Sequence, residues 1–237
     1  MSKERLDKLL ASTGRWSRSE VKRLVREGRV RVDGAIPAAA DAKYDPETAA
    51  FAVDGETLRL RAHIYVMLHK PAGVLSATED GRGKTVLDLL PEEYRRRGLF
   101  PVGRLDKDTE GLLLLTDDGA LAHDLLSPKK HVDKRYYARV SGTLDEADRA
   151  AFASGMTLPD RLVCLPAELS IVSSGAESEA LVTIREGKFH QIKRMFAARG
   201  KNVLYLKRLS MGTLTLDTSL APGAWRELTE AEEKNLK

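Results

Sequence analysis

Near the N-terminus Leu6, Leu9 and Leu10 recur at helical spacing and predict a short helix that ends near Gly14. Ser17-Arg18-Ser19-Glu20 has the form of a capping box, with Ser17 capping the next helix and Glu20 reaching back. Val21, Leu24 and Val25 carry that helix forward at i, i+3 and i+4, and Gly28 supplies a left-handed stop. Val30 and Val32 then alternate with Arg29 and Arg31, which predicts a strand with one apolar and one basic face. Asp33-Gly34 turns the chain. After a Pro/Ala/Asp-rich stretch, Phe51 and Val53, Asp54-Gly55, and Leu58 and Leu60 read as a hairpin that completes a small domain.

From Ile64 onward short strands and helices interleave without a regular βαβ period. Tyr65-Val66-Met67-Leu68 is an apolar strand broken by Lys70-Pro71-Ala72-Gly73, and Thr85 caps a short helix that carries Val86, Leu89 and Leu90 before Pro91. Leu112 to Leu115, bounded by Gly111 and an Asp-Asp-Gly turn, predicts a strand buried on both faces. Ala120 to Leu126 reads as a helix stopped by Ser127-Pro128. Tyr136, Ala138 and Val140 alternate along one strand, and Ala180, Val182 and Ile184 along another. Phe189, Ile192 and Phe196 form the buried stripe of a helix, and Lys193 falls on the same apolar side. The fold expected is α+β, a small N-terminal domain followed by a body with a mostly antiparallel mixed sheet flanked by helices. The expected boundaries are residues 1–60, a hinge at 61–64, and a body over 65–237.

Composition narrows the classes. The chain has 237 residues, 42% hydrophobic and 31% charged, which suits a soluble globular protein of one or two domains. No apolar run approaches the roughly 20 residues of a membrane span, and the start of the chain has no apolar signal segment. A single cysteine, Cys164, excludes an internal disulfide framework, and the five histidines lack metal-ligand spacing. No metal or other cofactor is expected, and a reducing cytoplasm fits best. Residues 1–34 hold ten Lys/Arg against five Asp/Glu, while the rest of the chain holds 29 against 30. The basic character therefore sits at the N-terminus, as in a polyanion-binding module on a near-neutral body. Arg18, Lys22, Arg23 and Arg26 lie away from the apolar stripe of their helix and, with Arg29 and Arg31, form a compact cationic surface suited to phosphates. Base-reading Asn and aromatic residues are scarce there, so such a surface would read backbone shape more than sequence.

Asp106 stands in a polar loop between Gly103 and Gly111, where an isolated carboxylate is commonly only part of a surface turn. The whole stretch from Gly103 to Gly119, of the form GRLDxxTxGLLLLTxDG, resembles the catalytic motif of the pseudouridine synthases in their RsuA-type branch. That resemblance implies that Asp106 is the essential catalytic residue. Lys70-Pro71-Ala72-Gly73 resembles a second motif of the family and places Lys70 among the substrate-binding residues. Tyr136, within KRYYARV, matches a Lys-x-Tyr pattern whose ring stacks on the target base, and Tyr137 lies on the other strand face. The segment EGKFHQIKRMFAARG resembles the third motif, in which a lysine or arginine at the place of Lys193 pairs with the catalytic Asp. An ammonium on an apolar helix face also asks for a carboxylate on physical grounds. His190 matches a common family residue at the substrate, and Arg104 would fill the space vacated in the RNA or hold a phosphate. RLDKLL…SRSEVKRLVREGRVRVDG resembles an S4-type RNA-binding domain over about residues 3–60.

The resemblance implies isomerisation of a uridine in ribosomal RNA to pseudouridine, a reaction with no net redox. The third motif and the tail from Leu220 to Leu228 are more similar to the small-subunit enzyme than to the large-subunit one, whose third motif more often reads EGRNRQVRRM. Uridine 516 of 16S rRNA, free or in a small-subunit assembly intermediate, is then the expected target, with no DNA or membrane partner and a monomeric enzyme. The alternatives are a large-subunit (23S) synthase of the same branch and a non-catalytic S4-type RNA-binding ribosome-assembly factor. Intact Asp106, Tyr136 and Lys193 speak against the latter. A glycoside hydrolase would need a second carboxylate across the bond, and the family pattern leaves Asp108 without a role.

Overall fold

A computed structural model describes residues 3–236. The chain divides into two compact units, residues 1–64 with 90–99, and residues 65–89 with 100–237. In the first, helices α1 (Leu6–Ala11) and α2 (Arg18–Arg26) bury their leucine and valine stripes against strands β1 (Val30–Val32), β2 (Phe51–Val53) and β3 (Glu56–Leu58). The strands form an antiparallel sheet in the order β1-β2-β3. The capping box forms as the sequence predicts: Ser17 Oγ accepts from Glu20 N at 3.3 Å and Ser17 N donates to Glu20 at 2.7 Å. Asp54 and Gly55 take φ of 53° and 82°, the positive values that a two-residue hairpin turn requires. Asp7 is fully buried on α1. Hydrogen bonds from Arg5 and Arg18 hold its carboxyl below the usual range against the cost of burial.

The segment 90–99, which sequence order leaves within the body, packs instead into this first unit. Its short helix α3 (Glu92–Arg96) lies against Gly14, where a Cβ would stand 2.0 Å from the Glu93 carbonyl oxygen. Arg97 donates to the carbonyls of Ser12 (3.0 Å) and Arg61 (2.7 Å).

The second unit is built on strands β4 (Tyr65–Lys70), β5 (Glu110–Thr116), β6 (Lys134–Ser141), β7 (Glu168–Ser173), β8 (Glu177–Ile184), β9 (Val203–Met211) and β10 (Trp225–Glu227). Their order is β7-β8-β6-β9-β5-β4-β10, antiparallel throughout except for the β9–β5 pair. This is the mixed, mostly antiparallel sheet expected. Leu112 to Leu115 of β5 are each 0% exposed, because the strand lies inside the sheet with cover on both faces. Leu112 and Leu114 share one core with Tyr65, Met67 and helix α4 (Gly119–Leu126), while α5 (Glu146–Ser154) and α6 (Gln191–Ala198) meet through Phe152 and Phe196. Gly111, at φ 106°, lets β5 approach β9: a Cβ there would lie 2.2 Å from the Arg208 carbonyl oxygen. No helix of the described residues is long and apolar enough to cross a membrane.

Candidate active site

The loop before β5 is held by the strand end beside it. Lys70 closes β4 fully buried, and its ammonium donates to the carbonyls of Pro71 (3.0 Å), Asp106 (3.1 Å), Lys107 (3.2 Å) and Thr109 (2.9 Å). Ser76 Oγ donates to Leu105 O and accepts from Leu105 N, and Gly73 N donates to Lys107 O. Burial pushes the Lys70 ammonium down to about 8, against the pull of Asp108, Asp106 and Glu110. The expectation that Lys70 meets RNA is therefore corrected: with its four carbonyl partners it is out of reach of a ligand and acts as the clamp of the Asp106 loop. Its place at the end of the apolar run YVMLHK was the available sign that it is buried.

So fixed, Asp106 presents a carboxylate that is 26% exposed. Lys193, on the first turns of α6, stands 3.1 Å from Asp106 and 2.5 Å from Asp108. Burial pulls the Lys193 ammonium down, but Asp108 and Asp106 together outweigh it and leave the group above its ordinary value. Lys193 in turn holds Asp108 below the usual carboxylate range. Asp108, left without a role by the sequence reading, thus shares the lysine. His190 Nε2 lies 3.6 Å from Asp106. Tyr136, 7% exposed on β6, lines the same pocket as Asp106, His190 and Lys193, with Arg104 exposed at its edge. Tyr137 alternates to the other face and meets Tyr205 at 6.1 Å between ring centroids.

One helix reading is overturned. Phe189 is not part of the buried stripe; it precedes α6 and is 74% exposed, whereas Ile192 and Phe196 are buried as expected. The left-handed backbone of His190 (φ 51°) separates Phe189 from the helix. Gln191 fixes that start, accepting from Lys188 N at 3.1 Å and donating to Glu186 at 2.7 Å. A polar side chain at the boundary of an apolar run was the only sequence sign of it.

The basic residues of the first unit are unequally committed. Arg29 grips Asp54 through two hydrogen bonds of 2.7 and 2.6 Å, and these raise its pKa further. Arg18 is tied to buried Asp7, Arg23 lies 3.8 Å from Glu27, and Arg31 donates to Gly34 O. Lys22 and Arg26 are exposed and have no carboxylate partner among the described residues. A surface of six free cations is thus reduced to a narrower one centred on α2.

Residues 64–198 match the family described as RNA pseudouridylate synthase, and residues 4–36 match the S4 domain. An uncharacterized RNA pseudouridine synthase of Bacillus subtilis is 49% identical over 229 residues, 96% of each chain. The ribosomal small subunit pseudouridine synthase A of Vibrio cholerae is 41% identical over 229 residues, 96% of this chain and 97% of that one. A crystal structure of a pseudouridylate synthase superposes with a TM-score of 0.69 at 35% identity, covering 99% of this chain and 100% of that one.

Proposed function

The chain belongs to the RNA pseudouridylate synthase family and carries an S4 domain; from that premise we propose that it converts one uridine of small-subunit ribosomal RNA, uridine 516 of 16S rRNA, to pseudouridine with Asp106 as the catalytic carboxylate. The observation that carries this reading is the Asp106–Lys193 pair, 3.1 Å apart, in the pocket that Tyr136 also lines. The relative in Vibrio cholerae, which bears the small-subunit name, supports the choice of rRNA.

In the reaction the N1–C1′ bond breaks, the base turns, and C5 joins C1′; the C5 proton is given up while N1 gains one. Atoms and electrons balance, and one ionised carboxylate at the ribose serves where a glycosidase uses two. Lys193 orients that carboxylate and offsets its charge. The target atom is out of reach in a stacked helix, so the nucleotide is extruded, and Tyr136 offers its ring to the base. Arg104 takes the space left in the RNA or a phosphate, and Lys22 and Arg26 hold the backbone. Under this reading residues 1–60 bind RNA, 65–237 carry the chemistry, and the enzyme works as a cytoplasmic monomer.

Single-turnover assay of Asp106→Asn on unmodified 16S rRNA tests the assignment. The change is near isosteric in a loop held by Lys70 and Ser76, so folding and RNA affinity persist while product formation is abolished. Appreciable pseudouridine from this variant overturns it. Mapping of rRNA pseudouridines in a deletion strain checks the target.

A further inference from the structure

Phe189 is 74% exposed, the most exposed of the large apolar side chains among the described residues. One face of its ring stacks on His190, with centroids 3.8 Å apart and planes inclined by 18°. Its backbone is anchored by Arg194, which donates to the Phe189 carbonyl at 3.3 Å, and by the Gln191 bonds to Lys188 and Glu186. His190 lines the pocket 3.6 Å from Asp106, whereas Phe189 does not line it. The ring thus stands one side chain outside the pocket, with its second face bare.

A bare aromatic face beside the pocket, backed on its other side by His190, is a surface on which a second flat ring can stack. Extrusion of a nucleotide leaves the adjacent bases without a stacking neighbour, and every base has a π-face that an aromatic side chain accepts. We propose that Phe189, backed by His190, is the stacking platform for the base next to the extruded uridine, and so a positioning residue for the RNA strand that enters the pocket. This inference rests on the pseudouridine synthase reading of the pocket.

The test uses the full chain and small-subunit rRNA transcripts bearing uridine 516, with 2-aminopurine replacing the nucleotide on one side of the target or the other. Stacking of about 1–3 kcal/mol per base converts to roughly 5- to 150-fold weaker binding for Phe189→Ala. Phe189→Leu, which keeps apolar bulk without a π-face, should lose as much, and Phe189→Trp should bind as the wild type. Turnover at saturating RNA should change little, so the loss appears in KM. The log–log salt slope should not move, since a stacking ring releases no counterions. Quenching of 2-aminopurine at one flanking position should vanish in the Ala and Leu variants alone. Wild-type affinity and quenching in Phe189→Leu, or failure of Trp to substitute, overturns the proposal. So does a defect confined to assembled particles, which would assign the ring to a protein neighbour. Asp106→Asn keeps the two readings apart: it should abolish product yet retain the affinity and the quenching. Product from that variant would sink the catalytic assignment and leave the platform standing.

Discussion

Lys193 divides its charge between two carboxylates of unequal exposure, Asp106 at 26% and Asp108 at 74%. The more exposed partner is screened by water and contributes less, so the pair that matters is the inner one. Lys193→Met should lower turnover roughly 10- to 100-fold, the worth of a charge-assisted hydrogen bond. Asp108→Asn should leave turnover near wild type, because Lys193 then serves Asp106 alone; a comparison of both rates on the same RNA checks this. Lys70 makes a pH prediction. Its folded value of about 8 lies below the roughly 10.4 of a free lysine, so between these values the unfolded chain binds more protons than the native one. The contribution of this group to stability therefore rises with pH across that window. Its clamp weakens over the same range, since the neutral amine has fewer protons to share among four carbonyls. Activity should fall above about pH 8 while urea midpoints show no matching loss from this residue, and a flat activity profile to about pH 10 would deprive the clamp of its role.

At the scale of elements, two local devices set where chain segments start and meet. Ser17→Ala removes the α2 cap and should cost about 0.5–2 kcal/mol, read from the denaturation midpoint, with turnover unaffected at low temperature. Gly111→Ala is more severe. The φ of 106° is strained for alanine, and the added methyl would lie 2.2 Å from the Arg208 backbone at the single parallel pair of the sheet. A strained backbone costs about 1–3 kcal/mol, and the displaced pairing adds to it. This variant should lose both stability and activity, since β5 leads directly out of the Asp106 loop; a midpoint and rate equal to wild type would contradict the role given to that crossing.

Over the whole molecule the charge is unevenly spread, ten basic against five acidic residues in positions 1–34 and 29 against 30 elsewhere. Several of those cations are already matched, Arg29 by Asp54 and Arg18 by Asp7, which leaves Lys22 and Arg26 as exposed cations of α2 with no carboxylate partner among the described residues. Lys22→Gln with Arg26→Gln should weaken RNA binding across sequences and lower the log–log salt slope by about 0.7–0.9 for each phosphate no longer neutralised. The rate on saturating RNA should be unchanged. An unaltered slope would move phosphate binding to the other unit.

What depends on near neighbours was legible in the sequence. The Ser17–Glu20 cap, the Asp-Gly turn of the first unit, the doubly buried leucine strand and the alternation around Tyr136 are each decided within a few residues, by side-chain reach, backbone sterics and the two-residue period of a strand. The motif around Asp106 was legible for the same reason, since its loop and strand are contiguous. What required distant segments to meet was not. Spacing put Phe189 in a helix stripe, but bonds from Gln191 and the left-handed His190 begin the helix two residues later and leave the ring in solvent. The motif resemblance placed Lys70 at the substrate, but carbonyls 36 to 39 residues away close around it. Asp108 gained its lysine, and residues 90–99 their place in the first unit, only through bonds that span 85 residues of chain. Periodicity reports which face of an element is apolar. Which groups satisfy a buried charge, and which face stays open for a ligand, is settled only when separate elements pack together.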